Sequence, residues 1–251
     1  MTDASELRDF VNRAADAEKA ETGRLPDTVD GGRGGARDII LSYLDIGEID
    51  EARTWATEAA PNYLQYARFV AEDRFDSSDP PSSLTAKPWT DALTAMQLAT
   101  FAADNDVLLE TAEDVYEWAS LPFLKECRGW ETTLTIDAVA ALAALVLGEA
   151  HSDYIESAQS KFDSLDDQSA YAKRNLNLVS AVRGTANNDV EQVVDACRGL
   201  DDFHETLDIY ESIPMELVNI HACFCVVFAC HRGLDVTYTS DYVPVSVVSY
   251  D

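Results

Sequence analysis

The stretch from Pro214 to Gly233, PMELVNIHACFCVVFACHRG, limits the fold more than any other part of this 251-residue chain. Pro214 suits the first position of a helix, where its missing N–H would have no partner anyway. Gly233 suits the stop, where a positive φ is needed. Between Leu217 and Cys230 the polar side chains are Asn219 and His221. A helix apolar on nearly all sides is buried on nearly all sides. It is too short for a bilayer, which takes about 20 apolar residues. The stretch predicts one continuous central helix in a soluble core. Beyond Gly233 the pattern changes to a period of two, with Leu234, Val236 and Tyr238 alternating with Asp235 and Thr237. Ser240 and Asp241 read as a turn. Val243-Pro244-Val245 then continues extended, and Pro244 confines any pairing to a sheet edge.

A core helix needs partners, and the chain supplies them as pairs. Leu7, Phe10, Val11, Ala14 and Ala15 make one amphipathic stripe, about Ser5 to Glu21. Thr22 to Gly35 is a Gly- and Pro-containing linker. Gly35 to Ala60 reads as a helix, a turn near Gly47 and a second helix. Pro61 is expected to break that helix, with Tyr63, Tyr66, Ala67 and Val70 starting another. Asp76 to Pro88 reads as a surface loop.

The hairpin format then recurs. Ala92–Ala103 and Val107–Ala119 flank Asp104-Asn105-Asp106. Thr132–Leu147 and Tyr154–Leu165 flank Gly148 to Asp153. Ala170–Arg183 and Val190–Leu200 flank Gly184 to Asp189. A spacing of about forty residues is that of helical repeats, although the TPR signature is absent. The expected fold is all-α, one domain over 1–251. It is an irregular, TPR-like stack of antiparallel helix hairpins over 36–233, with a buried C-terminal helix and a short extended tail over 234–251. Ile136 to Leu147 is the expected second buried helix.

Composition narrows the setting. The chain carries 46 acidic residues against 18 Lys and Arg, a net charge of −28, yet is 47% hydrophobic. It is not a disordered acidic tail. Asp outnumbers Glu 28 to 18, and 13 of the 18 bases are Arg. Dense carboxylates keep a protein hydrated in concentrated salt, and about 1 M salt shortens the screening length to about 3 Å. A halophilic setting is expected. In that setting acidity says little about partners, and nucleic acid is not an expected one, since phosphate contacts need clustered Lys and Arg. A cationic start followed by an apolar run is missing, so the expected location is cytoplasmic. The five cysteines, Cys127, Cys197, Cys223, Cys225 and Cys230, read as reduced thiols.

Candidate chemistry is sparse. His221, Cys223, Cys225, Cys230 and His231 resemble a metal set in one dimension. At about 100° per residue, however, His221 and Cys225 share one helix face and Cys223 and Cys230 nearly the opposite one, which one tetrahedral ion cannot span. Buried thiols packed as small hydrophobes are expected instead. Gly31-Gly32-Arg33-Gly34-Gly35 precedes a helix, but without the phosphate-loop or dinucleotide spacing it reads as linker. Asp104 reads as a helix cap rather than a calcium ligand. His204-Glu205 lacks the second His of a zinc protease. Cys127 beside Arg128 has no His near in sequence. Arg232 is expected to serve the carbonyls at the end of the central helix. Catalytic, cofactor and metal residues are therefore expected to be none, and the chain is expected not to be an enzyme.

Cys230-His231-Arg232-Gly233-Leu234-Asp235-Val236-Thr237, followed by Ser240-Asp241-Tyr242-Val243-Pro244, resembles the end of the immunity protein 49 family. In that family an apolar helix, a basic-Gly turn, a short extended run and a Tyr-x-Pro often close the chain. The resemblance covers about thirty residues. It implies a mostly helical protein that neutralises a cognate protein toxin of a polymorphic toxin system, and it carries over no binding residues. Exposed aromatics such as Trp89 or Tyr63 are candidate anchors, against partial burial at a helix junction. The alternative expectation is a TPR-like scaffold for regulation or assembly. A helical enzyme with an unrecognised site is the third class.

Overall fold

A computed structural model describes residues 36–75, 87–121, 130–166, 168–207, 213–248 and 250. The N-terminal helix and linker expected over 1–35, with the Gly31–Gly35 cluster, lie outside them. So do Cys127, Arg128 and most of the loop expected after Phe75. Regular structure among the described residues is entirely helical. The helices are α1 (Ala36–Ile46), α2 (Ile49–Phe75), α3 (Lys87–Ala102), α4 (Asn105–Ala119), α5 (Trp130–Leu147) and α6 (Ser152–Asp163). They continue with α7 (Ala170–Asn187), α8 (Val190–Glu205), α9 (Ile213–Leu217), α10 (Ile220–His231) and α11 (Val245–Val248).

Consecutive helices pair, so α1/α2, α3/α4, α5/α6 and α7/α8 are antiparallel hairpins. Their first helices all stop the same way. A residue with positive φ follows the helix: Gly47, Ala103, Gly148 and Asn188. The next N–H then reaches back to close the last turn. Glu48 donates to Tyr43 O (2.9 Å), Asp104 to Ala99 O (3.0 Å), Glu149 to Ala144 O (2.8 Å) and Asp189 to Gly184 O (2.8 Å). This is the Schellman bond, which satisfies carbonyls a helix end would leave open. Asp104 and Asp189 also start the following helix. The Asp104 carboxylate accepts from Asp106 N and Val107 N, and the Asp189 carboxylate from Gln192 N. Sequence spacing and hydrogen bonding therefore agree on four hairpins, as expected.

The first helices of the last three hairpins form an inner row, with α3 against α5 and α5 against α7. The second helices lie outside, with α2 against α3 and α4 against α5. Helix α10 lies on the inner row. It packs against α3, α7 and α8, and Ala222 to Ala229 are all buried. Helix α5 is the other buried rod, with Leu134 and every residue from Val139 to Ala144 at most 2% exposed. Leu93, Leu142, Leu178, Val182, Phe224 and Phe228 meet where α3, α5, α7 and α10 converge. They leave a void of about 10 Å³, near the smallest that holds one water.

Several expectations are corrected. The stretch 214–233 is not one helix: α9 ends at Leu217 and α10 begins at Ile220. Asn219 causes the break. Its side chain accepts from His221 N (3.1 Å) and Ala222 N (3.3 Å), and its own N–H donates to Tyr242 O (3.0 Å). Pro61 does not break α2, which runs through it. Pro61 and Thr57, whose carbonyl loses its i+4 donor, both face solvent, where water can take that carbonyl. Gly184 lies inside α7 rather than in the turn. A Cβ there would meet Val193 Cγ2 at 2.9 Å and Asp189 O at 3.0 Å, so the missing side chain lets α8 approach. Pro88 opens α3 instead of ending a loop.

The tail from Leu234 is extended with no strand pairing, and its period of two appears as burial, with Leu234 and Val236 in and Asp235 and Thr237 out. Val245 does not continue it; Val245–Val248 is one helical turn. That turn packs on α10 and α1. Ser246 Oγ donates to Leu44 O, and the buried Tyr250 OH to Phe101 O. Arg53 stacks on the Tyr250 ring, 4.9 Å from its centroid. The tail thus straps α10 across the inner row.

Candidate functional site

Three places combine polar chemistry with defined geometry. The first is the polar seam at the start of α10. Asp201 of α8 is 7% exposed and uses both oxygens. Oδ1 accepts from Asn219 Nδ2 (2.8 Å) and Oδ2 from the Tyr238 hydroxyl (2.6 Å). Burial, then the bond to Asp201, raises the Tyr238 phenol well above its ordinary value. The carboxylate fixes the residue that caps α10 and the strap that follows it. A buried polar group satisfied on both oxygens specifies one arrangement of its neighbours.

Around this seam lie the histidines and thiols that resemble a metal set in sequence. Gln97 Nε2 donates to His221 Nδ1 at 2.9 Å. Burial lowers the His221 pKa well below the ordinary imidazole range, and nearby Arg174 and Arg37 lower it further. His204 Nε2 donates to Glu216 O (3.1 Å), and its ring lies 4.6 Å from that of Tyr242. Burial also lowers its pKa. The neighbouring Cys225 thiol, then burial, raises the Cys197 pKa well above its ordinary value. Cys197 in turn points at Ala222 O (3.8 Å). Cys223 faces Tyr242 O (3.9 Å), with its pKa raised mainly by burial, and Cys230 faces Val236 O (3.7 Å). His231 is exposed. The five side chains serve separate partners. Among the described residues, no three His, Cys, Asp or Glu side chains are placed to share a metal.

The second place is a recess of about 230 Å³ between α5 and α6, lined by Thr133, Asp137, Tyr154, Ser157 and Lys161. Asp137 is 5% exposed, and its Oδ2 accepts from Ser157 Oγ (2.9 Å) and Lys161 Nζ (2.6 Å). Burial raises the Asp137 pKa, and Lys161 and Ser157 oppose that rise. Serine, lysine and aspartate here form a clamp joining the two helices. The lysine and the serine both donate to the same carboxylate oxygen. Nothing in sequence spacing marks this trio, since Asp137 lies 20 and 24 residues from its partners.

The third place is an open cleft of about 400 Å³ between the outer sides of α7 and α8. Ala170, Lys173, Leu176 and Asn177 form one wall, and Gly199, Asp202, Phe203 and Thr206 the other. At its floor the helices close on Gly199, where a Cβ would lie 2.4 Å from Asn177 Nδ2. Beside it Tyr171 is 50% exposed and meets Phe203 edge-on at 5.4 Å. The Arg174 guanidinium lies 5.5 Å from the Tyr171 ring and 5.8 Å from the Phe203 ring.

The remaining sequence candidates are placed as follows. Trp89 is fully buried edge-on to Trp118 at 6.1 Å, so it is not an anchor, and Tyr63 is half-buried. Arg232 reaches the carbonyl of Leu145 near the end of α5 (3.4 Å) rather than those of its own helix. It ties α10 to α5. Among the described residues, no helix is long and apolar enough to cross a membrane. Comparison with known proteins finds no family model, no curated protein and no solved structure that matches this chain.

Proposed function

We propose that this protein is a non-catalytic immunity protein that binds a cognate protein toxin of a polymorphic toxin system and neutralises it by occlusion. The observation that carries the reading is the burial of α10 across the inner row. The segment that resembles the immunity protein 49 family, Cys230 to Pro244, is the stop of that helix and the strap that holds it. The resemblance therefore falls on the elements that close the molecule. A rigid body of this kind presents fixed outer surfaces, and binding without reordering keeps the entropic cost of association low.

The hairpin stack favours a second reading, a TPR-like scaffold. Such arrays bind partners along the extended surface their repeats create. Here the inner face of the row is filled by the chain's own helix, which weighs against it. The working environment belongs to the same proposal: a cytoplasm rich in salt, where the charge of −28 is screened. A melting temperature that rises from low to molar KCl supports that setting, and an unchanged one removes it.

Co-expression with the product of the neighbouring gene tests the main reading. The expected result is growth arrest by that product alone, and rescue together with a stable complex when this protein is present. A harmless neighbour, or arrest that this protein does not relieve, ends the proposal.

A further inference from the structure

We infer that the cleft between α7 and α8 is the anchor site for the partner, and that it takes about two turns of an amphipathic partner helix. The inference rests on the toxin-binding reading and adds where and by what chemistry the contact is made. Four observations converge on it.

The first is charge. Helix α7 contains Lys173, Arg174 and Arg183 and not one Asp or Glu, in a chain where acids outnumber Lys and Arg 46 to 18. Across the cleft stand Asp202, which lines it, and Glu205, exposed one turn from Asp201. Of the residues that line the cleft, Lys173 stands on the α7 wall and Asp202 on the α8 wall. The two walls thus offer a partner helix charged contacts of both signs.

The second is shape. The walls run from Ala170 to Asn177 and from Gly199 to Thr206, about 10 Å each at 1.5 Å per residue. That length matches two turns of helix. Hairpins α3/α4 and α5/α6 each receive the next helix of the stack against both of their members. The third is apolar content. Leu176 and Phe203 give the cleft a greasy centre between its charged banks. Tyr171, half-exposed yet fixed by Phe203 and Arg174, offers a rigid aromatic face at the rim. Such pre-ordered aromatics and their pockets supply most of the energy at protein interfaces. The fourth is position. Hairpin α7/α8 is the last of the four, and terminal units of a stack normally present a polar outer face. This one is open and partly apolar.

The occupant is a helix with an apolar stripe, glutamates along the edge that meets α7 and basic residues along the edge that meets α8. A second copy of this chain is kept as an outcome of the test. Nucleic acid is disfavoured because Asp202 and Glu205 border the site.

The test uses the full chain and a fluorescein-labelled 14-residue helical peptide, neutral overall, with a Leu/Trp stripe, Glu along one edge and Lys along the other. Anisotropy is read at fixed KCl against the unmodified protein, Lys173→Glu, Tyr171→Ala and Glu113→Lys, an exposed residue of α4. Circular dichroism establishes that each variant is folded. The expected result is binding by the unmodified protein and by Glu113→Lys. Affinity should fall about fivefold for Lys173→Glu, the equivalent of roughly 1 kcal/mol, and at least as much for Tyr171→Ala. No binding, or equal binding by all four proteins, overturns the inference. So does competition by an oligo-dT strand. A dimer of the unmodified protein that Lys173→Glu dissolves assigns the cleft to a second copy and also overturns it. Toxin rescue separates the two levels. If Lys173→Glu and Tyr171→Ala rescue as fully as the unmodified protein, the cleft is wrong and the immunity reading stands; if the unmodified protein does not rescue, that reading falls by itself.

Discussion

Helices α7 and α8 each have two working sides, and the two differ in kind. Toward α10 they present Leu178, Ala181, Val182, Cys197 and Asp201, all buried. Away from it they present Lys173, Asn177, Asp202 and Thr206 around an open cleft. The inner side has almost no spare volume, and its deepest carboxylate has a donor on each oxygen. The outer side keeps about 400 Å³ open and holds charges of both signs. On the proposed reading, one hairpin separates holding the fold from meeting a partner. Changes on the inner side should cost stability and leave recognition alone, while changes on the outer side should do the reverse.

The sharpest way to break this contrast is to cut into the inner side. Phe228→Ala removes a ring that is 3% exposed and stacked on Phe224 at 5.5 Å. In a nearly void-free site the loss should be about 3–5 kcal/mol, read by guanidinium denaturation at fixed KCl. A loss below about 1 kcal/mol, the level of ordinary surface changes, would mean that α10 is not packed as described. Asn219→Ala is next. It removes the cap of α10 and one of the two donors to the buried Asp201, for an expected loss of about 2 kcal/mol.

Titration gives a smaller effect of known sign. Burial lowers the folded-state pKa of His221 and of His204. Their unfolded forms take up protons near pH 6.5, as ordinary imidazoles do. The unfolded state therefore binds more protons, and stability should be full above about pH 6.5 and fall as pH drops below it. His221→Gln should flatten that fall, and an unchanged slope would place the titration elsewhere. Lys173→Glu, on the outer side, should have the smallest effect on stability, within about 0.5 kcal/mol.

The sequence carried the hairpins because their signals are local. Gly47 and Gly148 mark stops, Asp104 and Asp189 mark starts, and Ala and Leu recur at helical spacing between them. It also carried the burial of α5 and α10, which are apolar on nearly every face. What it did not show depends on distant partners. The break at Asn219 needs Asp201, 18 residues away, and the carbonyl of Tyr242. The passage of α2 through Pro61 depends on which side faces water. Gly184 sits at a turn by sequence and at a helix contact in space. Trp89 looks available for a partner until Trp118 covers it. The cleft was invisible for the same reason: Lys173 and Asp202 lie 29 positions apart and oppose each other only when α7 folds back on α8.

Hydrogen exchange, followed by mass spectrometry on the full chain in molar KCl, tests the central claim most directly. If α10 is the sealed rod of a rigid binder, amides from Ala222 to Ala229 should be among the slowest in the molecule and exchange only when the whole domain unfolds. Amides at the outer ends of α7 and α8 should exchange earlier. Early, local exchange in α10 would show a helix that leaves the inner row, and would contradict the account.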